Sequence, residues 1–180
     1  MQVQRINNYS RISNPNFSAI KSIKYIGEFS NPSNKSLADR IMNAVKNTPE
    51  FIEFYNNNDI DIVLDAQLKE YSYIMGKMRN TLDYTLTILY EKPANTIKEH
   101  WEKILNPMEK LNISTFFADK TSLSEDTVNQ FIETFIKPDG MFTLKHELKK
   151  AQAQINKATK KNREGVLNAN TKNKQAFTKL

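Results

Sequence analysis

The amino-acid sequence predicts an α+β fold: a small, mostly antiparallel sheet of about four strands covered by helices, with a basic C-terminal helix and a frayed tail. Two patterns predict this class. Apolar and polar residues alternate over much of the segment 60–90, as in strands that bury one face. On both sides of that segment apolar residues recur every three or four positions, as in helices. With 180 residues, the chain is long enough for one sizeable core.

The first predicted element is a strand. β-Branched residues follow one another closely in the segment 19–29, among them Ile20, Ile23 and Ile26, and the turn-rich sequence SNPSN comes next. Because branched side chains favour extended backbone and turn residues end it, we expect a strand that closes at Gly27.

Two helices are expected after this strand. Ser36 and Asp39 approximate a capping box. Thr48, Pro49 and Glu50 form a second start signal, because proline loses no hydrogen bond at the first helical position and an acid there meets the positive end of the helix dipole. The helices should bury apolar stripes with Leu37, Ile41, Ala44 and Val45 in the first and Phe51, Ile52, Phe54 and Tyr55 in the second.

Three further strands are predicted between residues 60 and 90. The first two are 60–65 and 68–75, and residues 76–80 are the expected hairpin loop before the third. The third, 82–90, has the clearest alternation, typical of a strand with one buried and one wet face. Its predicted buried side chains are Leu82, Tyr84, Leu86, Ile88 and Tyr90.

Helical spacing returns in the C-terminal half. We expect a helix at 96–108 that Pro107 kinks or divides, a turn at 118–122, and a helix at 124–136. A last helix begins at residue 144. Its apolar residues are spaced by four and three positions, which is typical of a narrow seam that packs on another helix. This apolar seam consists of Leu144, Leu148, Ala151, Ile155 and Ala158.

The chain therefore divides into a flexible leader at 1–18, an α+β globular domain at 19–142, a basic C-terminal helix at 143–164 and a disordered basic tail at 165–180. The chain has no cysteine, which excludes disulfides and thiolate metal sites and fits a reducing compartment. No segment approaches the roughly 18 apolar residues that span a bilayer. The sequence thus predicts a soluble, cytoplasmic protein.

Charge is concentrated at the C-terminus. Residues 145–180 contain ten Lys and Arg side chains and two acids, which gives a net charge of +8. Residues 1–144 contain sixteen Lys and Arg side chains and eighteen acids, which gives a net charge of −2. A basic end on a near-neutral body predicts charge attraction to nucleic acid or to another acidic surface. The cations expected to contact such a partner are Lys145, Lys149, Lys150, Lys157, Lys160, Lys161, Arg163, Lys172 and Lys174.

Two aspartates define the strongest candidate for catalysis. Asp59 and Asp61 lie two apart at a strand start, so both carboxylates share a face, and Asp83 on the neighbouring strand could complete a site for a divalent metal. The Asp-x-Asp spacing resembles that of minimal nucleotidyltransferases, which implies metal-dependent transfer. The upstream Gly-Ser turn of that family is missing, because the nearest candidate reads Gly27-Glu-Phe-Ser30. The alternative is that these carboxylates occupy the exposed face of a strand.

The remaining residues indicate no cofactor and no metal site. His100 and His146 lack the further ligands that zinc requires, and the four glycines form no phosphate-binding loop. We therefore expect a non-enzymatic cytoplasmic accessory or inhibitor-type protein with a macromolecular partner. Two alternatives stay open: the metal-dependent transferase, and a structural protein that self-associates through Leu144, Leu148, Ala151 and Ile155 while its tail is merely solvated.

Overall fold

In the computed structural model of the protein, residues 20–74, 77–91, 94 and 96–177 are described, with the backbone alone for 71–74, 77–79, 97 and 162–177. The predicted leader 1–18 lies outside the described residues. The elements in chain order are β1 (Ile20–Gly27), α1 (Lys35–Lys46), α2 (Pro49–Asn57), β2 (Ile60–Ile74), β3 (Lys77–Glu91), α3 (Ile97–Leu105), β4 (Met108–Ala118), α4 (Glu125–Phe131), and α5 (Leu144–Phe177). A π-helical turn, Ile132–Ile136, continues α4.

The four strands form one mixed sheet in the order β1-β2-β3-β4. The pair β1 and β2 is parallel, with α1 and α2 between them in the chain, and the other two pairs are antiparallel. The predicted α+β class is therefore confirmed, as is a mostly antiparallel sheet of four strands. The segments that build the sheet differ from the prediction in two places.

The first difference is that β2 is one strand where the sequence predicted two. Its pairing with β3 continues from Ile60 opposite Tyr90 to Ile74 opposite Lys77. The predicted loop at 76–80 is thus mostly strand, although Gly76 itself lies outside the described residues. Because the backbone hydrogen bonds of a ladder do not depend on side-chain polarity, the strand continues through the polar residues that interrupt its apolar alternation.

The second difference is β4, a strand that the sequence did not predict between the expected helix at 96–108 and the expected turn at 118–122. Pro107 ends the helical segment, and the chain is extended directly after it. Leu111, Ile113 and Phe117 are buried and alternate with exposed neighbours, which is a period-two signal. The adjacent apolar Phe116, which is 68% exposed, obscures that alternation in the sequence.

The helices cover one face of the sheet, and the core lies between them. At its centre Tyr84 is fully buried and its ring contacts those of Phe29, Phe117 and Phe131 at centroid distances of 5.1–5.5 Å. Each such aromatic pair stabilises the fold by about 0.5–1.5 kcal/mol beyond the area it buries. The Tyr84 hydroxyl bonds the Thr127 hydroxyl at 2.7 Å, so its polar end is satisfied, and burial raises the pKa of Tyr84 to about 12.

Gly27, at the end of β1, is required by two constraints. Its φ of +59° is a left-handed conformation that side chains disfavour, and a Cβ there would lie 2.1 Å from the carbonyl oxygen of Ala66 on β2. The turn that leads from the sheet into α1 therefore depends on glycine at this position.

Gly27→Ala is expected to lower the free energy of unfolding by about 2 kcal/mol or more, since the left-handed backbone alone costs roughly 1–2 kcal/mol and the clash is with backbone. Urea unfolding measures the change. Gly140→Ala is the matched control, because its Cβ would meet only a methyl group at 3.9 Å; its effect should stay below about 1 kcal/mol. Equal effects at the two positions would contradict this account of the turn.

Candidate functional site

The apolar seam of α5 packs against the body of its own chain. Leu144 and Leu148 are fully buried, Ala151 and Ala158 are nearly so, and Ile155 packs on the same core. Helix α5 contacts α2, β4 and the π-helical turn. Of the side chains predicted for a partner contact, Leu144, Leu148 and Ala151 are thus buried against the same chain, and Ile155 is half-buried.

The start of α5 is fixed by local hydrogen bonds. The Thr143 side-chain oxygen accepts from the Gly140 N–H at 3.3 Å and donates to the Gly140 carbonyl oxygen at 2.7 Å. It also accepts from the His146 N–H at 3.5 Å, so Thr143 caps the helix. This cap fixes the residue at which α5 begins.

Ion pairs hold the first basic residues of α5 in place. Lys149 Nζ lies 2.6 Å from Asp139 Oδ2 and 3.7 Å from Glu50 Oε1, and Lys150 Nζ lies 3.5 Å from Glu147 Oε2. The hydrogen bond between Lys149 and Asp139 raises the pKa of the lysine and lowers that of the aspartate. Two of the predicted binding cations thus already have partners within the chain.

The cations after residue 155 are differently placed. Lys157, Lys160 and Lys161 are all exposed, and Lys157 and Lys161 form no ion pair with a described residue. These two lysines lie four positions apart, one helical turn, where like charges destabilise a helix by about 0.2–0.5 kcal/mol. An anion bound beside them would remove that repulsion. Lys145 is half-buried, and for Arg163, Lys172 and Lys174 the helical backbone alone is described.

Helix α5 is longer than predicted. It continues past Gly165, where we expected a disordered tail, and ends at Phe177. A single glycine costs a helix only about 1 kcal/mol, and no proline follows it, so nothing in the segment forces the helix to end. Among the described side chains Ala158 is the last that is buried, and the helix from there to Phe177 is about 28 Å long.

The three aspartates of the candidate transferase site do not come together. Asp61 lies opposite Leu89 and Asp83 opposite Gln67, which separates the two carboxylates by six positions along the ladder, or about 20 Å. Each carboxylate has a separate partner: Asp59 pairs with Lys21 at 3.0 Å, Asp61 accepts from the Ser22 hydroxyl at 2.6 Å, and Asp83 pairs with Lys69 at 2.8 Å. The described structure therefore does not bring Asp59, Asp61 and Asp83 together at one place.

Two other features are absent from the described part of the chain. It contains no group of three or more histidine or acidic side chains that could hold a metal ion, and no helix long and apolar enough to cross a membrane. A groove of about 250 Å³ lies between α2 and α5, lined by Glu50, Glu53 and Phe54. The Lys149 to Glu50 ion pair and the 3.3 Å hydrogen bond from Asn58 to Gln152 link these helices, so the groove belongs to the docking of α5.

Sequence reasoning missed one surface feature, the apolar face of α3. Three large apolar side chains that share this face are exposed: Trp101 by 64%, Ile104 by 71% and Leu105 by 83%. Spacing predicts which residues share a helix face, but it does not say whether another element covers that face.

The chain matches no protein-family model, and a search of curated proteins finds no significant match. The functional argument therefore depends on the geometry of the molecule itself.

Leu148→Ala is expected to lower the free energy of unfolding by about 2–5 kcal/mol, because it removes a fully buried side chain from the core. Urea unfolding of a dilute sample measures this intramolecular effect. Met141→Ala is the control, since Met141 is 77% exposed and its replacement should cost less than about 0.5 kcal/mol. An unchanged stability for Leu148→Ala would show that the seam does not pack on its own body.

Proposed function

We propose that the protein is a non-enzymatic cytoplasmic attachment protein that uses α5 to bind a polyanion, with the phosphate backbone of a nucleic acid as the partner. The observation that carries this proposal is the division of α5 into two parts. The apolar seam and the ion pairs of Lys149 anchor its first half. The exposed Lys157 and Lys161 follow, on a helix that continues to Phe177.

The distribution of charge supports attraction to a polyanion. The segment 145–180 carries a net charge of +8 on a body of −2, so attraction is directed at one part of the molecule. Lysine predominates in this segment, and Arg163 is its one arginine. Lysine acts as a point charge, whereas bidentate recognition of a base edge is typical of arginine. Binding should therefore depend on phosphate charge and show little sequence preference.

A nucleic acid fits these observations better than an acidic protein surface. Its charges repeat at a regular short interval along a line, and the cations of α5 also repeat along a line, the helix axis. An acidic protein surface would instead have to match a particular constellation of charges. Experiment distinguishes the two kinds of partner. Binding to an acidic protein would depend on one particular surface of that protein, whereas binding to a nucleic acid would depend on the charge of its phosphates.

The double variant Lys157→Gln with Lys161→Gln is expected to weaken binding to a fluorescein-labelled DNA duplex. Because the variant removes two cations that contact phosphates, the slope of log K against log salt concentration should decrease in magnitude by about 1.8. Fluorescence anisotropy across a salt series measures the slope.

The control variant Lys35→Gln with Lys46→Gln removes the same charge from exposed positions on α1 and should leave the slope unchanged. Equal effects of the two double variants would show that binding depends on the net charge of the protein and not on the lysines of α5. No binding to duplex or single-stranded DNA at low salt would contradict the proposed function.

A further inference from the structure

Strand β4 is an edge strand of the sheet that the described residues form. Among the described strands it pairs only with β3, and that pairing runs from Met108 to Ala118 without a register shift. The opposite edge, β1, is shorter, contains a register irregularity after Ile20 and ends at the Gly27 turn. A long, regular edge strand presents a row of backbone N–H and C=O groups that can pair with another strand. The edge that can accept a further strand is therefore β4.

The exposed apolar face of α3 lies beside the start of this edge. Helix α3 immediately precedes β4 in the chain, and Lys103 Nζ lies 2.6 Å from Glu91 Oε1. Glu91 follows the buried Tyr90, so its side chain is on the sheet face that the core helices do not cover. Leu105 ends α3 three positions before Met108 begins β4, so the exposed apolar side chains of α3 lie near the start of the strand.

A second exposed apolar group lies at the other end of the same strand. Phe116 is largely exposed, and because Phe117 next to it is buried in the core, Phe116 lies on the open face. Monomeric proteins rarely expose clustered large apolar side chains without a binding role. Large exposed apolar side chains therefore lie near both ends of β4, those of α3 before Met108 and that of Phe116 near Ala118.

We propose that two copies of this chain pair through antiparallel β4 strands, so that α3 of each copy packs near Phe116 of the other. Antiparallel pairing about a two-fold axis reverses one strand relative to the other, and it is this reversal that brings the two apolar groups together. The same interface extends the sheet across both copies and satisfies the backbone groups of both edges.

The charges of β4 disfavour one register, and we propose the register centred on Asn112. With the two-fold axis at Asn112, Lys110 faces Ser114 of the second copy, and Leu111 faces Ile113 of the second copy. Phe116 then lies opposite Met108 of the second copy, next to its α3. An axis at Lys110 would instead place two lysines opposite each other, which destabilises a strand pair.

The charge of α3 also favours a second copy over the polyanion that α5 attracts. Two lysines and two glutamates surround the apolar face, Lys98, Glu99, Glu102 and Lys103, so the helix has no net charge from these side chains. A nucleic acid or an anionic lipid surface would gain nothing from a neutral patch with two carboxylates. An identical neutral patch imposes no charge repulsion. This proposal does not depend on the lysines of α5.

A cysteine at position 112 tests the register directly, because the natural chain contains none. Directly opposed residues have Cα atoms about 4.5–5.5 Å apart, within the range that a disulfide spans. Asn112→Cys should therefore form a disulfide-linked dimer under mild oxidation. Ser114→Cys should not, since the two copies of that residue would be about 13 Å apart along the strands. Lys24→Cys, on the exposed part of β1, controls for random collision.

Paired charges test the contact between α3 and Phe116. Leu105→Lys and Phe116→Glu each place a charge in an apolar contact and should raise the dimer dissociation constant by about tenfold or more. Both changes in one chain should restore most of the affinity, because the two opposite charges then meet across the interface. Light scattering over a concentration series measures the mass relative to the 20.9 kDa of one chain.

The proposal would be overturned by a single-chain mass at all concentrations together with equal cross-linking of the three cysteine variants. A dimer that persists in Phe116→Glu, or in which Ser114→Cys cross-links faster than Asn112→Cys, would also overturn it. A dimer with the expected cross-linking but without DNA binding would refute the proposed function and leave the interface intact.

Discussion

The burial of one apolar seam determines the orientation of the proposed binding surface, which is the exposed basic side of α5. Leu144 and Leu148 place the first half of α5 against α2 and the core, and removing each of them from water contributes roughly 1.5–3 kcal/mol. A helix anchored on one side presents its other side to solvent in a fixed orientation. The exposed Lys157 and Lys161 follow from this anchoring, since they lie outside the seam at helical spacing.

The protein has two kinds of exposed surface at different places, a basic one on α5 and an apolar one on α3 and β4. Helix α5 carries a concentration of positive charge, which attracts anions over a distance of about 8–10 Å at ordinary salt. Helix α3 and strand β4 carry exposed apolar groups and an open backbone edge, whose contacts require close fit and little net charge. The proposed attachment to a polyanion and the proposed association of two copies therefore involve different residues. Dimerisation would strengthen binding to the polyanion, because a dimer would present two basic helices to one polymer.

Much of the fold was predictable from spacing alone. The alternation around Tyr84 identified β3, and the heptad spacing from Leu144 identified both α5 and its buried residues. The partner of that seam was not predictable, because spacing does not distinguish packing on the same chain from packing on another. Strand β4 was missed because the exposed Phe116 beside the buried Phe117 obscures its alternation. The separation of Asp83 from Asp59 and Asp61 was not predictable either, because strand register is not contained in either segment's own sequence.

Hydrogen exchange along α5, with and without a DNA duplex at low salt, tests the central claim most directly. The account predicts that amides of residues 144–158 are protected nearly as well as the sheet in both samples, because the seam belongs to the core. It predicts weaker protection from residue 162 onward in the free protein, since an end of a helix is held less firmly than its packed part, and an increase there when DNA is added. Rapid exchange at 144–158, or unchanged exchange after residue 162 on addition of DNA, would contradict it.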